Sequence, residues 1–522
     1  MPKLFTMKSI YKIVFVLAVV TIAGCTKNFE ELNTDPNSVT VNNYNPAYSL
    51  TRAELEYTGN SDFSYETWRV NIIYAGMMMQ QLANASWYAG DKYIQNDAWA
   101  SSYFDVAYRD QVKYVVDLLQ TTQGKTQYAN LYQIARIMRV MIFHRITDIY
   151  GDIPYSAAGL GYYERTFTPA YDKQQDIYTD MLKELDQAAT ALDPAKDKPG
   201  TADLIYRGGP TSIQQWKKLA YSMMLRLAMR LTKVDPATAK TWAEKAYAGG
   251  LINSNVDNAY ILHDKTGGRT TVNRNSNILA GEWNATGNGE VFLSKTFVDF
   301  LKNNSDPRLP FMAKVKATGS SVPADQVGLA NGYDQNGGAT DVSKAPAYPG
   351  NINNYSTIRA DVLLQLDGPT VLATYAQNEL LLAEAAKRGW GVGANAQTHY
   401  NNGVRAAMEQ LAQYNSLATV PSASIDAYLT AHPYVDANGY EMINTQYWAA
   451  SFLDWYEAWA NWRRSGFPVL TPVNYPGNAT NGQIPRRMLY PASESSANGS
   501  NYQQAIGRQG ANAFTTKVWW DK

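Results

Sequence analysis

The sequence predicts a mainly α-helical protein whose helix pairs pack against an irregular, loop-rich lobe with a few short strands. Three observations carry that expectation. Apolar residues recur at three- and four-residue steps through several long windows. Two pairs of those windows share alanine and aromatic positions. Between Ile252 and Pro369 the periodicity gives way to runs rich in glycine and asparagine.

The N-terminus reads as an export address. Lys3, Lys8 and Lys12 give a positive start, Ile13 to Ala23 is apolar but for Thr21, and Ala23 and Gly24 are small. The apolar run is well short of the roughly 20 residues a spanning helix needs. Met7 can equally serve as the start, because MKSIYK supplies the basic region. Ile22-Ala23-Gly24-Cys25 resembles a bacterial lipobox, in which the cysteine thiol is acylated and the chain is cut before it. Cys25 is the only cysteine of 522 residues, so no intramolecular disulfide is available and stability must come from a large core. The expected organisation is a signal peptide over 1–24, a lipidated tether over 25–45 and one domain over 46–522. Within that domain, about 252–369 forms a loop-rich ligand-binding insert.

Helices follow in order. Trp68, Ile72, Ala75, Met79 and Leu82 share one face, as do Leu131, Ile134, Met138, Met141 and Arg145. Asp172 to Leu192 is a further helix. Ser212 and Gln215 suggest a capping box before the stripe Ile213, Trp216, Ala220, Met223, Leu227 and Leu231. Thr370 to Arg388 and Tyr447 to Arg464 complete the set. Trp216-x-x-Leu219-Ala220-x-x-Met223 and Ala243-x-x-x-Tyr247 resemble the two helices of a tetratricopeptide repeat, and their wide separation predicts a longer loop between them. Ala373 to Arg388 and Ala394 to Leu411 form a second such pair. The tail from Gly466 is loop-rich, with Trp519 and Trp520 expected to pin its end.

Composition narrows function. Lys plus Arg and Asp plus Glu both total 46, so no basic face for nucleic acid is indicated. Thirteen Trp and 37 Tyr against a charged fraction of 18% suit sugars or peptides. There is no Walker loop, GxSxG elbow or HExxH helix. His144, His263, His399 and His432 are scattered and read as packing or surface residues. No cofactor is expected. Asp334 and Asp341 could offer oxygen to calcium, although their spacing does not match an EF-hand.

Taken together, CTKNFEELNTDPN, HRITDIYGDIPYSAA (His144 to Ala158), WKKLAYSMMLRLAMRL (Trp216 to Leu231), SDPRLP (Ser305 to Pro310), EAWANWRRSGFPVL (Glu457 to Leu470), IPRRMLYPASE (Ile484 to Glu494) and VWWDK (Val518 to Lys522) resemble, in that order, the SusD/RagB family of Bacteroidetes. The similarity is strongest to its SusD-like 2 subfamily. It implies an outer-membrane lipoprotein facing the exterior, without enzymatic activity. Such a protein is the lid of a SusC-like TonB-dependent transporter and binds oligosaccharide or peptide. Loop position and composition nominate Trp87, Tyr88, Tyr93, Asn96 and Trp99, then Trp283, Tyr333 and Tyr355, as ligand-binding residues. Asp148, Tyr150, Gly151, Asp152, Pro154 and Tyr155 read as architectural, as do Arg463, Arg464, Arg486 and Arg487, for which the alternative is a face toward the transporter. Two other readings stay open: an α-rich glycoside hydrolase, and an assembly protein that binds no ligand.

Overall fold

The long helix Ala129–Tyr150 is buried along most of its length, and the scaffold is built outward from it. In the computed structural model, residues 44–280 and 291–522 are described. The signal segment, Cys25, most of the tether and Trp283 lie outside the described residues. Gln174–Ala191 packs on the central helix, Ser212–Arg230 packs on Gln174–Ala191, and Pro236–Gly249 packs on Ser212–Arg230. Ser212–Arg230 also meets Tyr375–Lys387, which pairs with Ala396–Glu409 and Gly439–Ala450. Trp455–Ser465 then returns to the segment Thr67–Gly76.

Both expected tetratricopeptide-type pairs form. The first differs in its connection: only residues 231–235 join the two helices. The wide motif spacing comes from a longer first helix, not from a longer loop. Asp235 caps the second helix by accepting the Thr238 amide at 3.0 Å, and Pro236 occupies the first turn, where its missing N–H costs nothing. The expected capping box at Ser212 is absent. Thr211 is the N-cap and makes no side-chain cap. In the second pair, Asn395 caps by accepting from Thr398 N. Gly403 lets the two helices approach, since a Cβ there would lie 2.7 Å from Leu380 Cγ.

Three further boundaries differ from expectation. Pro369–Ala373 is a strand rather than the start of a helix, and Thr374 caps Tyr375–Lys387. The tryptophan-rich window Tyr447 to Arg464 is broken at 451–454, where Leu453 takes a positive φ of 76°. The tail carries a helix, Gly499–Gln509, that its weak apolar pattern concealed. Thr67–Gly76 is wound as a π-helix, a form rare outside short bulges and often found beside functional sites.

The sequence motifs of the resemblance converge in the core. Asp148 Oδ2 lies 3.2 Å from Arg230 Nε and 3.1 Å from His144 Nε2, and Asp148 Oδ1 accepts from Tyr178 and from Trp520 Nε1. Burial alone would raise the Asp148 pKa, but His144 and Arg230 hold it well below the carboxylate range. Glu457 accepts from Arg230 at 2.6 Å and from Tyr447 at 2.7 Å. Arg463 donates to the Asp148 and Arg486 carbonyls, and Arg464 makes a two-pronged pair with Glu384 at 2.7 Å. Buried charges survive only when matched in this way, so the architectural reading of these motifs holds. The histidines are packing residues too. His399 faces Glu379 at 2.9 Å, and His263 is wedged between Thr271 and Thr370, where burial pushes its pKa down to about 4.

The loop-rich lobe contains short antiparallel pairs. Leu82–Ala83 pairs with Phe292–Leu293, Ala259–Leu262 with Pro369–Ala373, and Ala313–Val315 with Ser356–Ile358. Ile153–Pro154 pairs with Tyr171–Asp172 near the central helix. Residues 47–522 form one compact unit.

Candidate functional site

Phe63, Tyr65, Trp68, Trp87, Tyr88 and Trp99 form one aromatic cluster at the start of the π-helix. Trp87 stands edge-on to Trp68 (centroids 5.5 Å apart), to Tyr88 (4.3 Å) and to Trp99 (5.7 Å). Tyr65 stacks on Trp68 at 6.0 Å and leans on Phe63 at 4.9 Å. Edge-to-face contacts of this kind are favoured by the ring quadrupole. Trp87 is 42% exposed and Tyr65 41% exposed, so the cluster presents ring surface to solvent while its base is buried.

Local hydrogen bonds fix the platform. The Asn84 side-chain oxygen accepts from the amides of Ser86 (2.7 Å) and Tyr88 (3.3 Å), folding the turn that lifts Trp87 outward. Trp68 Nε1 donates to the Tyr88 hydroxyl. Asn96 caps the helix Asp97–Ala100 by accepting from Trp99 N at 3.1 Å, which sets the position of Trp99. Arg69 lies 4.8 Å from the Tyr65 ring, and Arg269 lies 4.8 Å from Phe63. Burial pulls the Arg69 guanidinium below its ordinary pKa, against the pull of Tyr65 and Glu66. Among the described residues no carboxylate forms an ion pair with Arg69, so its donors remain available to a ligand oxygen.

The nominated residues therefore divide. Trp87 is exposed, and Trp99 buttresses it from a half-buried position. Asn96 positions Trp99. Tyr88 and Tyr93 are buried and cannot offer a face to ligand: Tyr88 supports Trp68, and the Tyr93 hydroxyl accepts from Val473 N at 3.2 Å. Tyr355 is also buried, packed with Phe292 and Leu329 in the small core of the lobe. Large aromatic side chains in loops found cores of their own there, which composition did not reveal. Tyr333 is half-buried on a different wall, beside Asn331 and Thr340. Asp334 and Asp341 spend their carboxylates on donors of the chain: Asp334 accepts from Thr340, Asn336 and Tyr475, and Asp341 from Ser343 and Gly337. Tyr65 and Arg69 were hidden because Trp68 reads as the start of a core stripe. The signal was there in Phe63-x-Tyr65-x-x-Trp68-Arg69, an aromatic run too dense for one helix face.

The fold is therefore a scaffold of helix pairs that carries a partly exposed aromatic cluster. Among the described residues no group of three or more His, Cys, Asp and Glu could hold a metal ion. No described helix is long and apolar enough to cross a membrane. Residues 41–491 match the SusD-like 2 family, described as starch-binding and associating with the outer membrane, and the chain belongs to that family. A solved chitin-binding protein is 36% identical over 91% of this chain and 100% of its own, with a TM-score of 0.80. A SusD-like protein of Bacteroidetes is 28% identical over 92% of this chain and 100% of its own, with a TM-score of 0.79. A chitin-binding SusD homolog from Flavobacterium johnsoniae is 25% identical over 91% and 97%, with a TM-score of 0.73. No curated protein matches the chain in sequence. Two of these relatives are described as binding proteins, by what they bind rather than by a reaction.

Proposed function

We propose that the protein captures glycan at the cell surface and passes it, unaltered, to a SusC-like TonB-dependent transporter on which it sits as a lid. Lipid on Cys25 anchors it in the outer membrane. The observation that carries this reading is the exposed Tyr65–Trp87–Trp99 platform with Arg69 beside it. Sugar rings offer apolar C–H faces to such rings and hydroxyl or acetamido oxygens to a guanidinium. The chitin-binding relatives favour β-1,4-linked N-acetylglucosamine oligomers as the first ligands to test.

The test is isothermal titration of the purified mature protein with the N-acetylglucosamine hexamer, beside peptide controls and an assay for released product. Binding without turnover is expected, and Trp87→Ala should weaken it about tenfold, a change of about 1.4 kcal/mol. Peptide binding in place of glycan binding refutes the glycan assignment, and product release refutes the passive role. Co-purification with the transporter encoded nearby tests the lid assignment, and its absence from detergent-solubilised membranes refutes it.

A further inference from the structure

We infer that a second glycan-binding site lies in the groove between the helix Lys295–Asn303 and the loops 330–346 and 471–475. The inference rests on the glycan reading above, but it uses none of the Trp87 platform. The groove has a cavity volume of about 490 Å³, within the roughly 300–1,000 Å³ typical of small-molecule sites. Tyr333 and Tyr475 supply half-buried ring surface, Pro472 and Val473 add apolar surface, and Gln80 lies at its base.

The walls come from distant parts of the chain and are tied together before any ligand arrives. Gln80, in a left-handed conformation with φ of 51°, donates to the Thr471 carbonyl at 2.5 Å and accepts from Thr296 at 2.8 Å. Asp91 accepts from Gly332 N at 3.1 Å, and Asn331 donates to the Leu82 carbonyl at 2.8 Å. Gly332 has φ of +86°, and a Cβ there would come within 2.5 Å of Val473. Only glycine lets the two loops meet at that point. Tyr475 donates to Asp334 at 2.6 Å, and Lys92 sits 5.9 Å from the Tyr475 ring. A groove held in this way loses little freedom on binding.

Its chemistry selects a neutral, hydroxyl-rich ligand. Among the described residues, the only charged lining residues are Lys295 and Asp299, and they form an ion pair with each other. The lining therefore carries no net charge to attract an anion, yet offers a donor and an acceptor side by side. Asn474 and Thr340 add further polar atoms to the lining. An extended peptide would look for an open strand edge. Here the backbone at Lys295 and Leu329 is already paired, with Lys295 N donating to Leu329 O at 2.8 Å and Leu329 N to Leu293 O at 2.9 Å. The groove is also set apart from the platform. Among the described residues its lining includes none of Phe63, Tyr65, Trp68, Trp87, Tyr88 and Trp99.

Among the described residues the groove lining contains no tryptophan, so its occupation should be silent in Trp fluorescence, whereas the platform reports. The N-acetylglucosamine trimer is titrated into four mature proteins: wild type, Trp87→Ala, Trp87→Ala with Tyr333→Ala, and Trp87→Ala with Tyr333→Phe. Heat of binding and Trp emission are read together, and circular dichroism confirms folding. Trp87→Ala should retain heat of binding with no change in emission. Adding Tyr333→Ala should lower that residual affinity about tenfold, while Tyr333→Phe, which keeps the ring, should preserve it. Loss of all binding in Trp87→Ala overturns the groove and leaves the platform reading standing. Residual binding untouched by Tyr333→Ala overturns it as well. A wild type that binds no glycan removes both.

Discussion

Glu66 should make the protein less stable as pH rises, and replacing it with glutamine should undo that loss. The residue is fully buried just before the π-helix that carries Trp68. Its Oε1 accepts from the Asn60 amide at 2.5 Å, while Oε2 has no hydrogen-bond partner. Burial is the main cause of a pKa raised from the ordinary 4.5 to about 7. Neighbouring Glu56 adds to the rise, and the Asn60 amide and Arg274 oppose it. The sign follows from proton binding. Between pH 4.5 and about 7 the folded state holds the proton more tightly than the unfolded state, so stability is fully present below 4.5, falls through that window and levels off above it. A rise of that size corresponds to about 3 kcal/mol at about 1.4 kcal/mol per pH unit. A glutamine side chain at this position would keep an oxygen for Asn60 and carry no charge. Glu66→Gln should therefore match wild type at pH 4.5 and exceed it by about 3 kcal/mol at pH 8. Urea denaturation at pH 4.5, 6, 7 and 8 reads the difference directly. A variant-to-wild-type gap that is flat across this range would show that Glu66 is ionised in both states and would refute the expected pH dependence.

Other changes have expected outcomes of their own. Arg464→Ala strips the partner from buried Glu384, whose pKa burial would raise but Arg464 and Arg388 hold down to about 2. It should cost about 3–5 kcal/mol in denaturant melts, and a loss below 1 kcal/mol would mean that water reaches the pair. Gly403→Ala forces a Cβ against Leu380 and should cost about 1–3 kcal/mol; an unchanged melting midpoint would show that the helices slide apart freely. Trp520→Ala empties a fully buried site and orphans one Asp148 contact, so a loss of about 3–5 kcal/mol is expected by the same measurement. Cys25→Ala should move the protein from the membrane fraction to the soluble fraction and abolish labelling by a fatty-acid analogue; persistent labelling would disprove the lipobox.

Helices were legible where a buried face imposed a period. Ala129–Tyr150 and Gln174–Ala191 fall within a few residues of their windows because the apolar spacing itself is the packing surface. The windows that misled were apolar for another reason. Thr370 to Ala373 is half-buried to buried in a strand that pairs with Ala259–Leu262. Phe452 and Leu453 are buried in a helix break whose geometry leaves no periodic trace. The candidate site was legible only in part. Trp87 lies in a loop, and Trp99 in the short helix after it, within a stretch whose composition advertises both, but exposure depends on hydrogen bonds such as those of Asn84 and Asn96, which composition does not encode. Tyr88, Tyr93 and Tyr355 are loop tyrosines of the same chemistry, yet the first two are buried in the main core and the third in the small core of the lobe. Tyr475 escaped notice because it sits in a proline-rich tail with no pattern at all.

The motifs that mark the family and the residues that would choose a ligand occupy different parts of the molecule. HRITDIYGDIPY supplies Asp148, WKKLAYSMMLRLAMRL supplies Arg230, EAWANWRRSG supplies Glu457 and Arg463, IPRRM supplies the Arg486 carbonyl, and VWWDK supplies Trp520 and Asp521. All meet around the central helix, where each buried charge requires its partner. Such a network tolerates little change, so it spells out the fold strongly and says nothing about cargo. The platform and the groove obey the opposite rule. Tyr65, Trp87, Tyr333 and Tyr475 are held from behind by backbone bonds and buried neighbours while part of each ring stays exposed or half-buried, and none of them belongs to a buried ion pair. Exchanging one of these rings alters what binds without unpairing a buried charge. Differences in ligand among proteins of this fold should therefore map to 63–99, 330–346 and 471–475, and a chimera that swaps only those segments should transfer ligand preference while leaving the denaturation midpoint nearly unchanged.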